Sequence, residues 1–346
     1  MGLNLGMMTT WKVRCGIATY SENLVNALAE QGVNVYVVRV SRFGMKTPEL
    51  LKNDVDKIPK DGDAPTDKID VIHVQHEYGI YQGLEPNLYL ALKSLHKPIV
   101  TTMHSTGVRT EIDDAIARSS DRVIVHNKYC LDRFGYPATV IPHGALSSKP
   151  LRSDEAKKTW GIDARTPIVG YCGFISSYKG IEQLVEAMVK VPNVALLIAG
   201  GWHVEQETEY ITHLKKMSFQ ALPNRCQWLG FVPDEKLAAV YGAMDLVIYP
   251  SRFATESGAL IMALSHGKAV LASRVPPFQE KEKAGALMTF KDVKDLARKI
   301  RRLLKDEKLR KQLEEGARKY CEETSWNKVA ECHVAFYKQL LNVQTP

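Results

Sequence analysis

Short runs of consecutive apolar residues alternate with helix-like segments along the whole chain. The first half holds six such runs: LNLGMMTTW, VNVYVVRV, DVIHVQH, KPIVTTMH, RVIVHN and ATVIPHG. Because these runs are apolar at successive positions, they predict strands that are buried on both faces, as in a parallel sheet covered by helices. The first half is therefore predicted to be a doubly wound α/β domain.

A second set of apolar runs repeats this pattern after Pro150. It comprises PIVGYCGFI, NVALLIAGG, RCQWLGFV, DLVIYPS, KAVLAS and GALMTF, again separated by helical segments. The polar stretch GALSSKPLRSDEAKK between the two sets indicates a linker. We predict a first domain over residues 1–150, a second over 151–324 and a terminal helical segment over 325–346. Ligands of such sheets bind beyond the carboxyl ends of the strands, so an interdomain cleft is the expected site.

Length and composition narrow the class of protein. The chain has 346 residues, which suits two domains. No apolar run approaches the roughly 18 residues that a membrane span needs, and the first residues lack a secretory signal pattern, so a cytoplasmic location is expected. The six cysteines form no CxxC pair and show no metal-ligand spacing. They are expected to be reduced, buried thiols, and no metal site is predicted.

The net charge of +7 is concentrated near the end of the chain. Residues 291–319 hold 12 basic and 6 acidic residues. Apolar residues recur there at helical spacing, which favours a solvated outer face, and attraction to an anionic membrane surface is the main alternative. No aromatic residues interleave the charges, so nucleic acid is not an expected partner.

Two strand-to-helix turns carry residues suited to anions. Gly16 follows the first strand and opens a helix, where free N–H groups and the helix dipole attract phosphate. In the second domain, GYCGFISSYKGIEQLVEAM places Gly173 in a loop and Lys179 just before a helix. A lysine at a helix start opposes the dipole, so a shared anion explains Lys179 better than packing does. Neither a GxGxxG nor a P-loop pattern is present.

A third turn lies in YPSRFATESGALIMALSHG, residues 249–267. Ser257 and Gly258 precede an apolar helix, which gives a second anion-competent helix start in the same domain. Two such starts at one sheet edge suit a diphosphate. Glu256 stands just before this helix, either as a carboxylate favoured by the dipole or as a catalytic residue that binds sugar hydroxyls.

Histidines cluster at strand ends of the first domain. His104, in TTMHSTG, sits where a strand gives way to a loop and is the candidate for a catalytic side chain. His73 lies inside a strand and is expected to be a packed core residue. His143, in IPHG, is expected to brace the crossing between the domains.

Taken in order and spacing, these motifs resemble the GT-B glycosyltransferases, specifically the retaining family 4 (glycosyl transferases group 1). The motifs that carry the resemblance include CGIATYSENLVNALAEQG, DVIHVQHEYG, TTMHSTG, VIPHGA, GFISSYKGIEQLVEAM and WLGFVPDEKLAAVYGAMDLVIYPS. The resemblance implies two Rossmann-like domains, a nucleotide-sugar donor held mainly by the second, and a sugar, polysaccharide or lipid-linked acceptor held mainly by the first. It also implies transfer without an obligatory metal or other cofactor.

The resemblance assigns roles to individual residues. Gly16 would lie against the donor diphosphate, His104 against the transferred sugar, and Lys179 on the phosphates. Gly173 would let its loop approach the diphosphate, and the backbone around Phe231 would contact the base. The leaving diphosphate would itself accept the proton of the acceptor, so no side-chain base is required.

The chain departs from the family pattern at three positions. Ala254 and Met262 occupy the places of two usual glutamates, and Phe174 that of a usual arginine. Met262 cannot accept a hydrogen bond from ribose as a carboxylate does. Glu256 is two residues from the first of these places. Two alternatives therefore stay open, namely a GT-B sugar epimerase or phosphorylase, and a nucleotide-sugar-binding protein that has lost catalysis.

Overall fold

A computed structural model describes residues 2–40, 68–81, 84–148, 151–201 and 208–343. The chain divides into two compact units. Unit 1 comprises residues Met1–Gly144 and Thr324–Pro346, and unit 2 comprises Ala145–Glu323. The boundary predicted at Pro150 falls on residues outside the described ranges. Part of the predicted linker is helical, because residues Ser153–Thr159 form a helix of unit 2.

Unit 1 is built on a parallel six-stranded sheet. Its strands are β1 Asn4–Thr9, β2 Asn34–Arg39, β3 Val71–His76, β4 Ile99–Met103, β5 Arg122–Val125 and β6 Thr139–Val140. They lie in the order β2-β1-β3-β4-β5-β6. Strands β1, β3 and β4 are buried along almost their whole length, which confirms the prediction drawn from their apolar runs.

The helices of unit 1 cover this sheet. They are α1 Gly16–Glu30, α2 Tyr78–Tyr81, α3 Glu85–Lys93, α4 Thr110–Ser119, α5 Lys128–Phe134 and, from the end of the chain, α14 Trp326–Val343. Helix α14 returns to unit 1 and packs against α1. A buried hydrogen bond of 2.6 Å joins the Tyr337 hydroxyl of α14 to Nδ1 of His73 in β3.

Unit 2 has a second parallel six-stranded sheet. Its strands are β7 Ile168–Cys172, β8 Ala195–Ala199, β9 Cys226–Gly230, β10 Leu246–Tyr249, β11 Val270–Ser273 and β12 Met288–Phe290. Their order is β12-β11-β10-β7-β8-β9. The helices are α6 Ser153–Thr159, α7 Ile181–Val189, α8 Thr208–Ala221, α9 Asp234–Ala243, α10 Gly258–Ser265, α11 Pro276–Lys283, α12 Val293–Lys305 and α13 Glu307–Glu323.

Side-chain caps explain where several helices begin. The Asn127 side chain accepts the Cys130 N–H at the start of α5, and Asp292 accepts the Asp295 N–H at the start of α12. Ser257 does the same for the Leu260 N–H at the start of α10. A residue with a short polar side chain before an apolar run is the feature of the sequence that predicts these starts.

All six cysteines are free thiols, as expected. The expectation that they are buried is confirmed for Cys130, Cys172 and Cys321. It is wrong for Cys332, which is exposed on α14, and for Cys15 and Cys226, which are half-buried. Within the described ranges, no helix combines the length and apolar character needed to cross a membrane.

Candidate active site

The order of strands in unit 2 identifies one place on its sheet as the natural ligand site. The chain builds β7, β8 and β9 outward in one direction and then returns to place β10 on the other side of β7. Ligands of doubly wound sheets bind at such a switch point, beyond the carboxyl ends of the two central strands. The turns that follow β7 and β10 are therefore the first candidates, and they hold Gly173, Lys179, Ser257 and Gly258.

The turn after β7 depends on close backbone packing. Gly173 has φ +152°, and a Cβ built there would lie 2.9 Å from Cβ of Ala259 in the first turn of α10. The Tyr171 hydroxyl donates to the Phe174 carbonyl at 2.7 Å and fixes the start of the loop. The turn ends in a short 3-10 helix, Ser177–Lys179, followed by Gly180 with φ +64°. Lys179 thus precedes α7 rather than forming part of its first turn.

Hydrogen bonds join this turn to the one after β10. The Arg252 backbone N–H donates to the Tyr178 carbonyl at 2.8 Å, and the Gln183 side-chain amide donates to the Pro250 carbonyl at 3.1 Å. The Tyr249 hydroxyl lies 2.9 Å from the Cys172 carbonyl oxygen and 2.6 Å from that of Ala259. The starts of α7 and α10 are consequently held side by side. Together they offer two sets of backbone N–H groups to an anion.

Two polar side chains in the β7 turn lack a protein partner. The Lys179 ammonium lies 4.6 Å from the centre of the Tyr178 ring, and no carboxylate pairs with it among the described residues. The Ser176 hydroxyl is buried, with no hydrogen-bond partner in the part of the chain that the structure describes. A buried donor without an acceptor is costly. An anion between the two helix starts would give Lys179 an acceptor.

Glu256, predicted to be catalytic, takes part in a buried ion pair. Its Oε2 lies 2.8 Å from Nζ of Lys281 in α11, and the two side chains are 6% and 3% exposed. Its Oε1 accepts the Ser257 N–H at 2.8 Å. Burial alone lowers the pKa of Lys281, but the Glu256 carboxylate outweighs this and raises it above its ordinary value. Both oxygens of Glu256 have structural partners, so a catalytic role would require these contacts to be given up, and that role stays a prediction.

Ala254 and Met262, at the two positions expected to be glutamates from the family resemblance, are apolar residues that pack in or against the apolar core. Ala254 is buried, and Met262 is partly buried against the core of unit 2. Neither position could bind ribose through a carboxylate. Lys281 was not predicted as a partner of Glu256, because the two residues lie 25 positions apart in the chain.

Phe231, the expected neighbour of the base, directly follows β9. Its side chain is 44% exposed, and a Cβ built on Gly201 would lie 3.2 Å from Cβ of Phe231. The carboxyl ends of β8 and β9 therefore approach each other closely at this point. Contact between Phe231 and a nucleotide base stays a prediction.

In unit 1, Gly16 lies at the corresponding switch point, between β1 and β3. It is the first residue of α1, and Cys15 before it makes no side-chain cap. A Cβ built on Gly16 meets no described atom within 4 Å. Packing of the described residues therefore does not require glycine here. A ligand bound against the start of α1 would require it, because a side chain would occupy the same space.

His104 belongs to a network of buried rings at the same sheet edge. Its Nε2 lies 2.9 Å from the side-chain amide of Gln75, and its Nδ1 lies 3.1 Å from Nε2 of His126. His126 Nδ1 donates to the Ile141 carbonyl at 3.2 Å. Burial lowers the pKa of His104 well below its ordinary value, and the neighbouring histidines lower it further. His104 is thus a neutral ring held in a fixed orientation at neutral pH.

Two further histidines of unit 1, His73 and His143, contact other protein groups. His73 is fully buried, and its Nε2 lies 2.8 Å from the Thr102 hydroxyl, which confirms that it is a core residue. His143 donates from Nδ1 to the Gly144 carbonyl, and its ring packs on Tyr20 and Trp326. Among the described residues, no three His, Cys, Asp or Glu side chains come together in a way that could hold a metal ion.

A second buried pair, which was not predicted from the sequence, lies at the carboxyl end of β3. His76 Nε2 lies 3.1 Å from Glu85 Oε1, and both side chains are fully buried. Glu85 is the first residue of α3 and precedes a proline. A glutamate at a helix start next to a histidine at a strand end is the signal that could have suggested this pair.

Comparison with known proteins gives the family. Residues 152–320, most of unit 2, match the family model described as glycosyl transferases group 1. The chain carries a group 1 glycosyltransferase domain. This domain contains both joined turns, with Gly173, Lys179, Ser257 and Gly258.

Curated relatives resemble the group 1 glycosyltransferase domain and part of unit 1. The D-inositol 3-phosphate glycosyltransferase of Corynebacterium jeikeium is 27% identical over 226 residues, which is 60% of this chain and 54% of the relative. The sulfoquinovosyl transferase of Arabidopsis thaliana is 26% identical over 270 residues, 68% of this chain and 50% of the relative. The chain spans about half the length of these curated relatives.

Solved structures confirm the GT-B fold class. Sucrose-phosphate synthase from Thermosynechococcus elongatus superposes with a TM-score of 0.79 at 20% identity, covering 99% of this chain and 100% of the other. Anabaena HepE in complex with UDP-glucose gives 0.80 at 17% identity, covering 97% and 100%. The two parallel sheets flanked by helices agree with the architecture predicted from the apolar runs.

Proposed function

We propose that this chain transfers a sugar from a nucleoside-diphosphate sugar to a sugar, polysaccharide or lipid-linked acceptor, with retention at the anomeric carbon and without an obligatory metal. The observation that carries this proposal is the pair of joined helix starts in the group 1 domain, with Lys179 beside them and, among the described residues, no carboxylate paired to it. The solved structures of HepE with UDP and with UDP-glucose support a nucleotide-sugar donor. The names of the curated relatives support glycosyl transfer.

The chemistry asked of unit 2 is the stabilisation of a leaving group. A diphosphate between the starts of α7 and α10 accepts backbone N–H groups and the Lys179 ammonium, all fixed before the reaction begins. As the bond from the anomeric carbon to the diphosphate oxygen breaks, negative charge grows on that oxygen. Fixed donors lower the energy of this charge without reorganising. The departing diphosphate takes the proton of the acceptor hydroxyl, and the acceptor oxygen bonds to the anomeric carbon on the face that the diphosphate leaves, so configuration is retained.

In unit 1 the proposal gives roles to Gly16 and His104. Gly16 leaves room for a phosphate group at the start of α1, because a Cβ built on it meets no described atom within 4 Å. His104 contacts the transferred sugar as a neutral ring whose orientation Gln75 and His126 hold. A neutral ring adds no positive charge next to a sugar that becomes cationic in the transition state.

The test begins with nucleotide binding. Purified protein is melted with UDP, GDP, ADP, CDP and TDP, and with their common sugar conjugates. One series is expected to raise Tm, because a ligand that binds only the folded state stabilises it. Lys179→Ala should abolish that rise and lower turnover by about 10²–10³-fold, the usual loss for one fixed electrostatic donor. Lys216→Ala, an exposed lysine on α8, is the matched control. Unchanged turnover in Lys179→Ala would remove this lysine from the site.

A second candidate function rests on the missing carboxylates. Ala254 and Met262 are apolar, and Glu256 is engaged by Lys281, which favours a protein that binds nucleotide sugars without turnover. Such a protein would show the rise in Tm but release no sugar. An epimerase or phosphorylase would be separated from a transferase by analysis of the products. The cytoplasmic location expected from the sequence stays a prediction.

A further inference from the structure

The most one-sided surface of unit 2 is the outer face of α12. Five exposed cations lie on it at helical spacing, Lys294, Arg298, Arg301, Arg302 and Lys305, and we call them the α12 stripe. The acidic residue of the helix, Asp295, is buried and forms ion pairs with Arg298 and Lys299. Residues Leu296, Ile300 and Leu303 bury the opposite face. The stripe is therefore fixed by a well-packed helix and faces solvent.

The neighbouring helix α13 shows what an ordinary charged surface looks like in this protein. Its exposed residues carry charges of both signs, and Lys311, Arg318 and Lys319 pair with Glu307, Glu315 and Glu323 along the helix. Such pairing leaves little net field. In the α12 stripe Arg298 forms an ion pair with Asp295, but the other four cations form none among the described residues. No exposed acid lies between Val293 and Lys305, so the charges of these four add.

Exposed apolar side chains lie on α7, which packs against α12, and on α8, which packs against α7. The Arg301 guanidinium donates to the Lys190 carbonyl at 2.7 Å, just beyond the end of α7. Val189, next to Lys190, is 52% exposed. Phe219, in the last turns of α8, is also 52% exposed, and α8 packs beside α7. Helices α7, α8 and α12 each follow a parallel strand, so their last turns meet at the amino-terminal edge of the sheet.

We propose that the α12 stripe, together with Val189 and Phe219 on the neighbouring helices α7 and α8, docks unit 2 onto an anionic lipid surface. Each lysine or arginine near such a surface is attracted to the lipid headgroups, and the attraction decays within a Debye length. Exposed Val and Phe side chains beside the cations suit the boundary between headgroups and acyl chains. A nucleic acid would instead favour aromatic residues among the cations, and α12 has none.

The experiment is cosedimentation of the full chain with vesicles. Binding is expected to vesicles of phosphatidylglycerol and phosphatidylcholine but not to phosphatidylcholine alone. It should be lost at about 1 M salt, where the Debye length is about 3 Å. The variant Lys294→Glu, Arg302→Glu, Lys305→Glu changes three side chains that make no hydrogen bond or ion pair in the described structure. We expect it to weaken binding by at least about tenfold while leaving Tm and the rise in Tm with nucleotide unchanged.

A matched variant tests whether position matters rather than net charge. Lys158→Glu, Lys236→Glu, Lys283→Glu makes the same change in charge at exposed lysines of α6, α9 and α11. It should bind vesicles as the parent does. Equal losses in the two variants, no binding by the parent, or tighter binding to duplex DNA than to the vesicles would each overturn the proposal. None of these results bears on glycosyl transfer, since nucleotide binding is read separately.

Discussion

The two sheets share a plan but present different chemistry at their carboxyl edges. In unit 1 the edge is made of side chains. The Gln75 amide hydrogen-bonds to the rings of His73 and His104, and the His104 ring hydrogen-bonds to that of His126, so the network crosses three strands. In unit 2 the edge is made of backbone, with glycines that let one turn rest on another. The first edge is sensitive to protonation, and the second to the addition of a single carbon atom.

The difference matches the two tasks in the proposed reaction. A diphosphate has many acceptor oxygens and is suited by backbone N–H groups, which no change of pH removes. A sugar and its acceptor need groups of defined shape and protonation state, which buried neutral histidines supply. Changes that weaken one edge should therefore leave the other intact.

The largest effect is expected where unit 2 does rely on side chains. Lys281→Met leaves the buried Glu256 carboxylate without the positive charge of Lys281, and it should lower the free energy of unfolding by roughly 3–5 kcal/mol. Chemical denaturation measures this loss. The double variant Glu256→Gln, Lys281→Met should recover most of it, because no buried charge is left. Lys311→Met, which breaks an exposed pair with Glu307, is the control and should change nothing measurable. A loss as small as that of the control would show that the pair does not hold the turn.

Lowering the pH should have the next largest effect on stability, and this effect should come mainly from buried histidines. Burial lowers the pKa of His333 in unit 1 and of His266 in unit 2 to about 4. Between that value and the ordinary pKa near 6.5, the unfolded chain binds the extra proton and the folded chain does not, so stability is present at pH 7 and falls as pH falls. At pH 5 the loss is about 2 kcal/mol for each of the two.

The slope of stability against pH checks this assignment. His333→Gln should flatten the fall between pH 7 and pH 5 by close to one histidine's share. The exposed His213→Gln should leave the slope as it is. If His333→Gln has the parent's slope, then the protons are taken up elsewhere.

A single methyl group should disturb the backbone edge of unit 2. Gly173→Ala places Cβ against Ala259 in a backbone conformation that other residues rarely adopt, so a loss of roughly 1–3 kcal/mol in stability is expected. Thermal unfolding measures it. The double variant Gly173→Ala, Ala259→Gly removes the methyl contact but keeps the backbone strain, and should recover only part of the loss. Full stability in the single variant would mean that the turn is looser than described.

The smallest effect on stability is the most informative about function. Gly16→Ala adds a methyl group where no described atom lies within 4 Å, so Tm should stay within the range of an ordinary surface change. Nucleotide affinity should nevertheless fall, because the methyl group occupies the space assigned to the diphosphate. The rise in Tm with nucleotide provides the measurement. An unchanged rise would separate Gly16 from the donor site.

The fold was predictable from the sequence because its strands are buried on both faces. Runs such as VALLIAG in β8 have few other interpretations, and the cap at Ser257 can be read directly from the letters before α10. The helix Ser153–Thr159 was missed because its composition is polar, and it is held by contacts with α9 rather than by its own pattern. Polar composition alone does not distinguish a surface helix from a linker.

The site was predictable only in its local parts. Positions of Gly173, Lys179 and Ser257 follow from strand-turn-helix patterns within a few residues of each other. The partners of Glu256 and His104 do not follow from such patterns. Lys281, the partner of Glu256, lies on another helix. Gln75 and His126, the partners of His104, lie on β3 and directly after β5, the strands on either side of β4. Such pairs are set by the order of strands and the packing of helices, which a single sequence does not display.

The return of α14 to unit 1 has a consequence for how the protein is made. A ribosome releases residues 1–144 well before it releases α14, because all of unit 2 is synthesised in between. At about 5–20 residues per second this interval lasts roughly ten to forty seconds. During that time the surface of α1 that α14 later covers is exposed to solvent, and His73 lacks its hydrogen bond with the Tyr337 hydroxyl. The nascent first unit thus leaves an uncovered surface until α14 is made, whereas unit 2, which is continuous in the chain, has its whole core as soon as it emerges.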